Sequence, residues 1–281
     1  MLLMETGKKI VFLDIDGTLT MPGHIVPPES AREAVLRARE NGHKVFLCSG
    51  RSRALLKPLL KYGFDGYIGS AGGYICVGDE VIFDCPMEKA LSEEVMSVLK
   101  ENGIYMTLEC LDETYTDPCF VSYLKEHPGE LDNSEILRWV EKRDSTLGIR
   151  PMEEYGGEPI YKIVIVVPAP ENLEAAEKVL GDRFSLRIQN PEKGRMMNGE
   201  LINRKFDKGR ALIRVCERVG IPLKDSVAFG DSANDREMLE TAGLSVCMEN
   251  GSDDMKRLAD MICPAVWDDG LYRAFEEIGL L

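Results

Sequence analysis

The sequence predicts an α/β protein with a doubly wound parallel sheet that is interrupted by an inserted α+β region. In the first and last parts of the chain, uniformly apolar strands alternate with helices, as is typical of a parallel sheet covered on both faces. Between these parts the strands alternate apolar and polar residues, as in a sheet with one covered face. We therefore expect a discontinuous core domain of residues 1–84 and 191–281 and an inserted domain of residues 85–190.

Local periodicity predicts where the strands and helices lie. Core strands are expected at 10–13, 45–48, 67–68, 227–229 and 244–247, with a hairpin over 72–83. Core helices are expected at 29–41, 53–62, 208–219 and 235–242. The insertion should contain strands at 105–109 and 161–167 and helices at 92–101 and 171–180. Residues 114–158 are left unassigned, because charges and turn formers dominate there.

Composition narrows the class of partner. The chain has 281 residues, and 44% of them are hydrophobic, which suffices for a large core. Its 48 acidic and 34 basic side chains give a formal net charge of −14, and a surface this acidic repels nucleic acid and anionic lipid. We therefore expect no nucleic acid and no membrane as partner. A small molecule, or one whose negative charge a metal neutralises, is expected instead.

The cysteines and the N-terminal residues indicate the compartment. The eight cysteines are scattered without a C-x-x-C pair, which is typical of reduced, buried residues and not of a zinc site. Residues 1–9 lack the apolar core of a signal peptide, and no stretch approaches the length of a membrane span. The sequence therefore predicts a cytoplasmic protein.

Two carboxylates follow the first predicted strand, in the run Asp14-Ile15-Asp16-Gly17-Thr18-Leu19. The C-terminal edge of a parallel sheet is where α/β proteins bind ligands, and residues two apart can converge on one site there. Taken alone, the pair could equally be two exposed loop acids. A calcium-binding loop is excluded, because Gly17 comes too early and Ile25 stands where a bidentate glutamate is needed.

A second acidic run, Asp231-Ser232-Ala233-Asn234-Asp235, follows another predicted strand. Carboxylates gathered at one sheet edge repel each other, by about 4 kcal/mol for a pair about 4 Å apart at an effective dielectric constant of about 20. Magnesium removes that cost and is typically held by one or two carboxylates together with substrate phosphate oxygens. The alternative for Asp235 is an acid in the first turn of a helix, where it interacts with the helix dipole.

Two further segments could complete a phosphate site. Ser49 and Gly50 follow the second strand and offer a hydroxyl group and loop N–H groups to phosphate oxygens. Lys208 opens a predicted helix and could offset charge on a nucleophile and on a transferring phosphoryl group. Neither signal is specific alone, since a serine after a strand is often a helix cap and a lysine at a helix start is often solvated.

The order of these motifs resembles the haloacid dehalogenase superfamily of phosphohydrolases: D-x-D-G-T-L, a strand-end S-G-R, a Lys-Gly and G-D-S-x-N-D. The long insertion between the serine and lysine motifs is similar to the Cof-type subgroup, and so is the C-terminal run from Met255 to Asp260. This resemblance implies a Rossmann-like core with a type-IIB α+β cap. It also implies a magnesium-dependent phosphatase that hydrolyses small phosphate monoesters, such as sugar phosphates, through an aspartyl phosphate.

The resemblance also implies roles for the acidic residues. Asp14 would be the nucleophile and a magnesium ligand. Asp16 would be the general acid and base and would lend its backbone carbonyl to the metal. Asp231 would bind magnesium, and Asp235 would support the metal site.

For the phosphoryl group, the resemblance implies contacts from Ser49, Gly50, Lys208 and Asn234, with Lys208 counted among the catalytic residues. Two segments depart from the family pattern. Ala71-Gly72-Gly73 stands where the family often has Asn-Gly-Ala, and Met248-Glu249-Asn250-Gly251 stands where it often has Met-Gly-Asn-Ala.

Alternatives remain open at this point. A phosphomutase similar to phosphomannomutase would share the core motifs, and a non-catalytic module that binds a phosphorylated ligand would share the fold. The three histidines lie in unrelated contexts and no C-x5-R loop surrounds Cys48, which disfavours histidine and cysteine phosphatases. The expected partner is a small phosphorylated metabolite, and neither its identity nor the oligomeric state follows from the sequence.

Overall fold

The computed structural model describes residues 7–118, 149–189 and 197–281. These residues separate into two compact units. The first comprises the chain up to Arg51, together with Leu56–Asp84 and Phe206–Leu281, and the second comprises Ser52–Leu55 and the chain from Cys85 to Lys205. None of the helices in the described part of the chain has the length and hydrophobicity of a membrane span.

The first unit is built on a sheet of eight strands among the described residues, in the order β14-β13-β12-β1-β2-β3-β4-β5. The strands are β1 (Ile10–Leu13), β2 (Lys44–Cys48), β3 (Gly66–Gly69), β4 (Tyr74–Val77), β5 (Glu80–Asp84), β12 (Ser226–Gly230), β13 (Leu244–Met248) and β14 (Met261–Cys263). The neighbours from β14 to β3 are parallel, and the β4–β5 hairpin adds two antiparallel pairs at one edge. The predicted parallel core is thus confirmed.

Helices cover both faces of this sheet. They are α1 (Glu29–Glu40), α2 (Arg53–Leu60), α5 (Lys208–Val219), α6 (Arg236–Thr241), α7 (Asp253–Leu258) and α8 (Gly270–Glu277). On one face Phe12 and Ala228 lie in a buried cluster with Leu212 of α5. On the other face the ring of Phe229 packs on that of Phe275 in α8, with ring centroids 5.3 Å apart. Successive strand residues point to opposite faces, so uniformly apolar strands fit a sheet that is covered twice.

The second unit contains a sheet of six strands within the described residues, in the order β10-β11-β9-β6-β7-β8. The strands are β6 (Tyr105–Cys110), β7 (Thr114–Thr116), β8 (Ile149–Pro151), β9 (Ile160–Val167), β10 (Phe184–Gln189) and β11 (Met197–Asn203). All pairs are antiparallel except β7 with β8. Alternate residues such as Leu108 and Ile163 form a buried cluster with α3 (Lys89–Glu101) and α4 (Pro170–Leu180).

The other residues of these strands include a buried group of charges. Lys162 in β9 donates a 2.6 Å hydrogen bond to Glu200 in β11, and its ammonium group lies 3.2 Å from Glu109 in β6. Lys162 and Glu109 are direct cross-strand partners. In β9 this lysine stands in a largely apolar strand that is buried at every position, so β9 is covered on both faces and not on the single face expected from the sequence.

The bounds of the two domains differ from the expected ones near the end of the insertion. The sequence assigns residues from 191 onward to the core, but β11 pairs with β10 and β9 in the second sheet, and the second unit extends to Lys205. The expected boundary between residues 190 and 191 lies outside the described residues. Because Gly199 and Glu200 interrupt the apolar pattern of β11, its sequence does not indicate a strand.

Candidate active site

The two acidic motifs come together because their strands are neighbours. β1 and β12 are parallel and in register from Ile10 to Leu13, and the backbone N–H of Asp14 donates to the carbonyl of Phe229 at 3.0 Å. Asp14 and Asp231 therefore leave the same edge of the sheet, one residue beyond each strand. One carboxylate oxygen from each of Asp14, Asp231 and Asp235 lies within 4.8 Å of the other two.

Gly17 makes this close approach possible. It has a φ of +86°, and a Cβ atom at this position would lie 2.3 Å from Oδ2 of Asp231. Its backbone carbonyl accepts a 2.8 Å hydrogen bond from the side-chain amide of Asn250, and its N–H donates to the carbonyl of Thr20. The D-x-D-G spacing therefore positions the loop against Asp231, and any side chain at Gly17 would displace it.

Lys208 connects the two motifs. Asp207 caps α5 by accepting a hydrogen bond from the N–H of Arg210 at 2.7 Å, which places Lys208 in the first turn of the helix. The Lys208 side chain is 2% exposed, and its Nζ donates to Oδ1 of Asp14 at 2.7 Å and to Oδ1 of Asp235 at 2.6 Å. The same ammonium group lies 3.4 Å from Oδ1 of Asn234.

Asp235 is fully buried and uses both of its oxygens within the first unit. Oδ1 receives the Lys208 ammonium group, and Oδ2 accepts the N–H groups of Asp231 and Ser232, each at 3.1 Å. The Ser232 hydroxyl group in turn donates to Asn234 at 3.0 Å. Asp235 thus fixes the backbone that carries Asp231 and holds the lysine that faces Asp14.

The segment of Ser49, Gly50 and Arg51 follows β2, which is the neighbour of β1. The Ser49 hydroxyl group accepts the N–H of Arg51 at 3.3 Å. The carbonyl groups of Ser49 and Arg51 accept the N–H groups of Ala71 and Ser70, at 3.0 and 2.8 Å respectively. Ser70 and Ala71 have φ values of 51° and 57°, in the left-handed region that non-glycine residues rarely adopt.

Arg51 reaches back to the first acidic motif. Its Nε donates to Oδ2 of Asp16 at 3.0 Å and its Nη2 donates to Oδ1 at 2.7 Å. The arginine side chain is 6% exposed and that of Asp16 is 16% exposed. Both carboxylate oxygens of Asp16 thus accept a hydrogen bond from the planar guanidinium group of Arg51.

The family model of the haloacid dehalogenase-like hydrolases matches residues 11–275. The chain belongs to this family. YwtE of Bacillus subtilis strain 168, named as a 5-amino-6-(5-phospho-D-ribitylamino)uracil phosphatase, is 27% identical over an alignment of 282 positions that covers 94% of this chain and 95% of YwtE. The phosphatase YwpJ of the same strain is 28% identical over 275 residues, which cover 90% of this chain and 94% of YwpJ.

A solved structure of the subclass IIB sugar phosphatase BT4131 has the same fold, with a TM-score of 0.77 at 21% identity over 98% of this chain and 100% of the other. The predicted family, the predicted Rossmann-like core with a type-IIB cap, and the predicted class of enzyme, a haloacid dehalogenase-type phosphatase, are confirmed.

Charge is not balanced in this haloacid dehalogenase-type site. Burial raises the pKa of Asp14 to about 7, with the charge of Asp235 adding to the shift and Lys208 opposing it. Burial likewise raises the pKa of Asp231 to about 9, and the nearby charges of Asp235 and Asp14 add to it. Burial lowers the pKa of Lys208, but Asp14 and Asp235 outweigh burial and leave it raised. The ammonium group is therefore a permanent charge, and within the described residues it is the cation that opposes the raised pKa of both Asp14 and Asp231.

The donor set fits a hard divalent cation. Among the described residues, Oδ1 of Asp231 is buried without a hydrogen-bond partner, although its backbone is held firmly by Asp235. A buried polar atom without a partner calls for an explanation, and a bound ion or water is one. Seven other buried side-chain atoms in the described residues share this condition, but of the eight only that of Asp231 belongs to the carboxylate cluster. Oxygen ligands from carboxylates are those that magnesium prefers.

The structure thus brings together Asp14, Asp231, Asp235, Lys208 and Asn234 by direct contacts, and it places Ser49, Gly50 and Asp16 on the two loops next to them. Sequence reasoning assigned no role to Arg51 or Asn250. Arg51 ends the S-G-R motif and Asn250 lies in the segment that follows β13. The spacing of a motif does not indicate where a long side chain points.

Proposed function

We propose that this chain is a magnesium-dependent phosphatase that hydrolyses small phosphate monoesters through an aspartyl phosphate formed on Asp14. One observation carries the proposal. Asp14 is buried at the end of β1, hydrogen-bonded to Lys208, and has a carboxylate oxygen within 4.8 Å of those of Asp231 and Asp235. A buried carboxylate beside a fixed ammonium group and an unbalanced acidic pair fits a nucleophile that acts with a metal.

Asp14, Asp231 and the backbone carbonyl of Asp16 would hold the magnesium ion. Asp235 would support it indirectly, because both of its oxygens are already engaged with Lys208 and with backbone N–H groups. When bound, magnesium would neutralise the carboxylates and polarise the phosphoryl oxygens. Its charge would also favour the ionised form of Asp14, whose pKa is otherwise raised to about 7.

The chemistry then follows from four side chains. An oxygen of Asp14 attacks phosphorus as the bond to the leaving oxygen breaks, and Asp16 gives its proton to that oxygen. Asp16 next takes a proton from water, whose oxygen attacks phosphorus and releases inorganic phosphate and the Asp14 carboxylate. Lys208 and the Ser49–Gly50 loop offset and orient the charge on the phosphoryl oxygens, which is the main demand of phosphoryl transfer.

The substrate is proposed to be a small phosphorylated metabolite, such as a sugar phosphate. The name of YwtE, which includes a phosphoribityl group, supports this class. The second unit, which comprises Ser52–Leu55 and the chain from Cys85 to Lys205, is proposed to form the cap that selects among such compounds. The cytoplasmic location stays a prediction.

Release of inorganic phosphate from a panel of phosphorylated sugars, sugar alcohols, nucleotides and cofactors tests the proposal, with magnesium and with EDTA. We expect release that depends on magnesium and is lost in Asp14→Asn, and a phosphoryl group on Asp14 in rapidly quenched wild-type protein. Conversion of a hexose phosphate into its isomer without phosphate release would instead indicate a mutase. Binding without turnover of any compound would indicate a module that binds phosphorylated ligands.

A further inference from the structure

The contact between Arg51 and Asp16 is a two-pronged ion pair inside the first unit. The Nε–Oδ2 and Nη2–Oδ1 distances are 3.0 and 2.7 Å, so the planar guanidinium group lies against both carboxylate oxygens. Pairs of this kind fix orientation as well as charge, because two parallel hydrogen bonds define the plane of the carboxylate. A lysine at the same position would supply charge without that plane.

Both backbones at this ion pair are fixed independently of it. Asp16 lies in a loop that is closed by hydrogen bonds from Leu19 and Thr20 to the carbonyl of Ile15, at 3.0 and 2.8 Å. Arg51 is held by the 2.8 Å hydrogen bond from the N–H of Ser70 to its carbonyl group. Backbone hydrogen bonds do not fix the side-chain torsions of Asp16, and the two hydrogen bonds from Arg51 act on these torsions.

We propose that Arg51 is a positioning residue that sets the direction in which the Asp16 carboxyl group gives and takes protons. This inference rests on the proposed function, in which Asp16 protonates the leaving oxygen. Proton transfer needs a donor within hydrogen-bonding reach of the reacting atom and correctly oriented toward it. Because Arg51 also lies in the Ser49–Gly50 segment, it ties the acid and base to the loop that would hold the phosphoryl group.

Two ester substrates with different leaving groups separate this role from others. An aryl phosphate such as p-nitrophenyl phosphate expels a weakly basic phenolate that needs little help from an acid, whereas an alkyl phosphate expels a basic alkoxide that needs a proton. The measured quantity is kcat/KM, which reports only the steps through release of the alcohol or phenol. In Arg51→Met we expect kcat/KM for the alkyl ester to fall by about 10- to 100-fold, part of the roughly 10²–10⁴-fold that positioned proton transfer contributes.

For the aryl ester we expect kcat/KM of Arg51→Met to stay within about threefold of wild type, because formation of the aspartyl phosphate then needs little acid catalysis. Asp16 also activates water in the second step, so the variant should release a burst of nitrophenolate before its slower steady state. Arg51→Lys should behave like Arg51→Met, since it keeps the charge but loses the fork. Arg51→Lys also allows the same two kcat/KM values to be measured if Arg51→Met fails to fold.

A second two-pronged pair in the same unit supplies the matched control. Arg39 donates to Asp65 through Nε at 3.0 Å and Nη2 at 3.4 Å, away from the site. Arg39→Met should lower thermal stability without changing the ratio of alkyl to aryl kcat/KM. In an Asp16→Asn background, adding Arg51→Met should cause no further loss of alkyl kcat/KM, because the group on which Arg51 acts has been altered.

The outcomes are distinguishable from failure of the proposed function. If the wild-type protein releases phosphate from neither ester, the phosphatase proposal fails. If wild type cleaves both esters but Arg51→Met lowers kcat/KM equally for both and weakens inhibition by inorganic phosphate, Arg51 binds the phosphoryl group and the positioning role is overturned. Equal losses for both esters with unchanged phosphate inhibition would also overturn it, since they indicate a merely structural role.

Discussion

Two lysines, Lys208 in the first unit and Lys162 in the second, are each buried between a pair of carboxylates. Lys208 donates to Asp14 at 2.7 Å and to Asp235 at 2.6 Å. Lys162 donates to Glu200 at 2.6 Å and lies 3.2 Å from a second glutamate in the neighbouring strand β6. Judged by burial and distance alone, the two groups are nearly the same.

They differ in where the chain places them. Lys162 and its partners stand within neighbouring strands of one sheet, where cross-strand pairing fixes them. Asp14 and Asp231 stand one residue beyond their strands, and Asp231 adds a third carboxylate to the two that already share Lys208, so its pKa stays raised although Lys208 opposes the shift. A buried lysine between two acids therefore does not by itself identify a catalytic centre. A catalytic centre is indicated when such a group lies at the end of parallel strands and carries excess negative charge.

The largest expected effect is the loss of turnover in Asp14→Asn. We expect phosphate release to fall by about 10⁴- to 10⁶-fold, comparable with the removal of the nucleophile in other covalent enzymes. Stability should not fall, because the substitution removes a buried carboxylate whose pKa is raised to about 7. Phosphate release and chemical unfolding of the same preparation measure both quantities.

Asp16→Asn serves as the companion variant. It should lose most turnover yet still accumulate phosphoenzyme from acetyl phosphate, whose leaving group needs no proton from the protein. Near-normal turnover in Asp14→Asn together with a strong loss in Asp16→Asn would show that the two roles are assigned to the wrong residues.

In the second unit, Lys162→Met should lower stability and leave turnover unchanged, which is the reverse of the result expected for Asp14→Asn. Removing the ammonium group leaves Glu109 and Glu200 buried, and breaking a buried ion pair from one side typically costs about 3–5 kcal/mol of unfolding free energy. Chemical denaturation should show this loss, while the folded fraction releases phosphate at the wild-type rate. The triple variant Lys162→Met, Glu109→Gln, Glu200→Gln should regain much of the stability, since the two buried carboxylates that faced Lys162 are then replaced by neutral amides. Unchanged stability with a raised KM would instead assign Lys162 to substrate recognition.

Much of the first unit could be predicted because its signals are local. The strand at 10–13 and the helix at 208–219 have the predicted bounds, since an apolar run ended by Asp14 and an amphipathic run ended by Gly220 are self-contained patterns. The strands β10, β11 and β14 were not predicted. β10 alternates apolar and polar residues and could have been recognised. β11 has Gly199 and Glu200 in its middle, and β14 has only three residues, so their local patterns are weak.

Some features of the candidate site could likewise be predicted from the sequence, and others could not. Residues at strand ends, such as Asp14 and Asp231, could be predicted because topology alone brings them to one edge. The contacts of Arg51 with Asp16 and of Asn250 with Gly17 could not, because they depend on the direction of side chains across loops that are far apart in the chain. Long polar side chains have many rotamers, and only the folded environment selects one.

Magnesium should stabilise the first unit's cluster and leave that of Lys162 untouched. At a hundredfold excess over its dissociation constant, it should raise the unfolding free energy by about 2.7 kcal/mol. Asp231→Asn should abolish most of this response, whereas Glu200→Gln should preserve it. Thermal unfolding with magnesium and with EDTA provides the measurement, and a wild-type curve indifferent to both would reject the metal site.

The stabilisation of the first unit by magnesium should depend on pH. In the metal-free protein Asp14 and Asp231 keep their protons up to about pH 7 and about pH 9, whereas the unfolded chain loses them near 3.8. The folded state therefore binds more protons, and its stability falls as pH rises from about 4 to about 9. Magnesium binds the ionised carboxylates, so its stabilising effect should grow across that interval. A constant effect would indicate that these two groups are not its ligands.

The smallest expected effect concerns backbone strain, in which the two units also differ. In the described part of the second unit, positive φ occurs at glycines only, at Gly103, Gly157 and Gly181. Beside the candidate site, Ser70 and Ala71 adopt φ values of 51° and 57°, where the family often has asparagine in place of Ala71. Strain at functional sites persists when the surrounding structure enforces it, and here the Ala71 N–H donates to the Ser49 carbonyl at 3.0 Å.

Ala71→Gly should therefore raise the unfolding free energy by about 0.5 kcal/mol, because relief of about 1–2 kcal/mol of left-handed strain exceeds the roughly 0.5–1 kcal/mol that glycine costs in chain entropy. Phosphate release should be unchanged, since the N–H group at position 71 remains. Gly72→Ala is the matched opposite: its Cβ would lie 2.5 Å from the carbonyl oxygen of Asp207, so it should displace the start of α5 and with it Lys208. If Ala71→Gly lowered stability instead, this turn would not be strained. The two units would then differ in the charge of their lysine clusters and not in backbone strain.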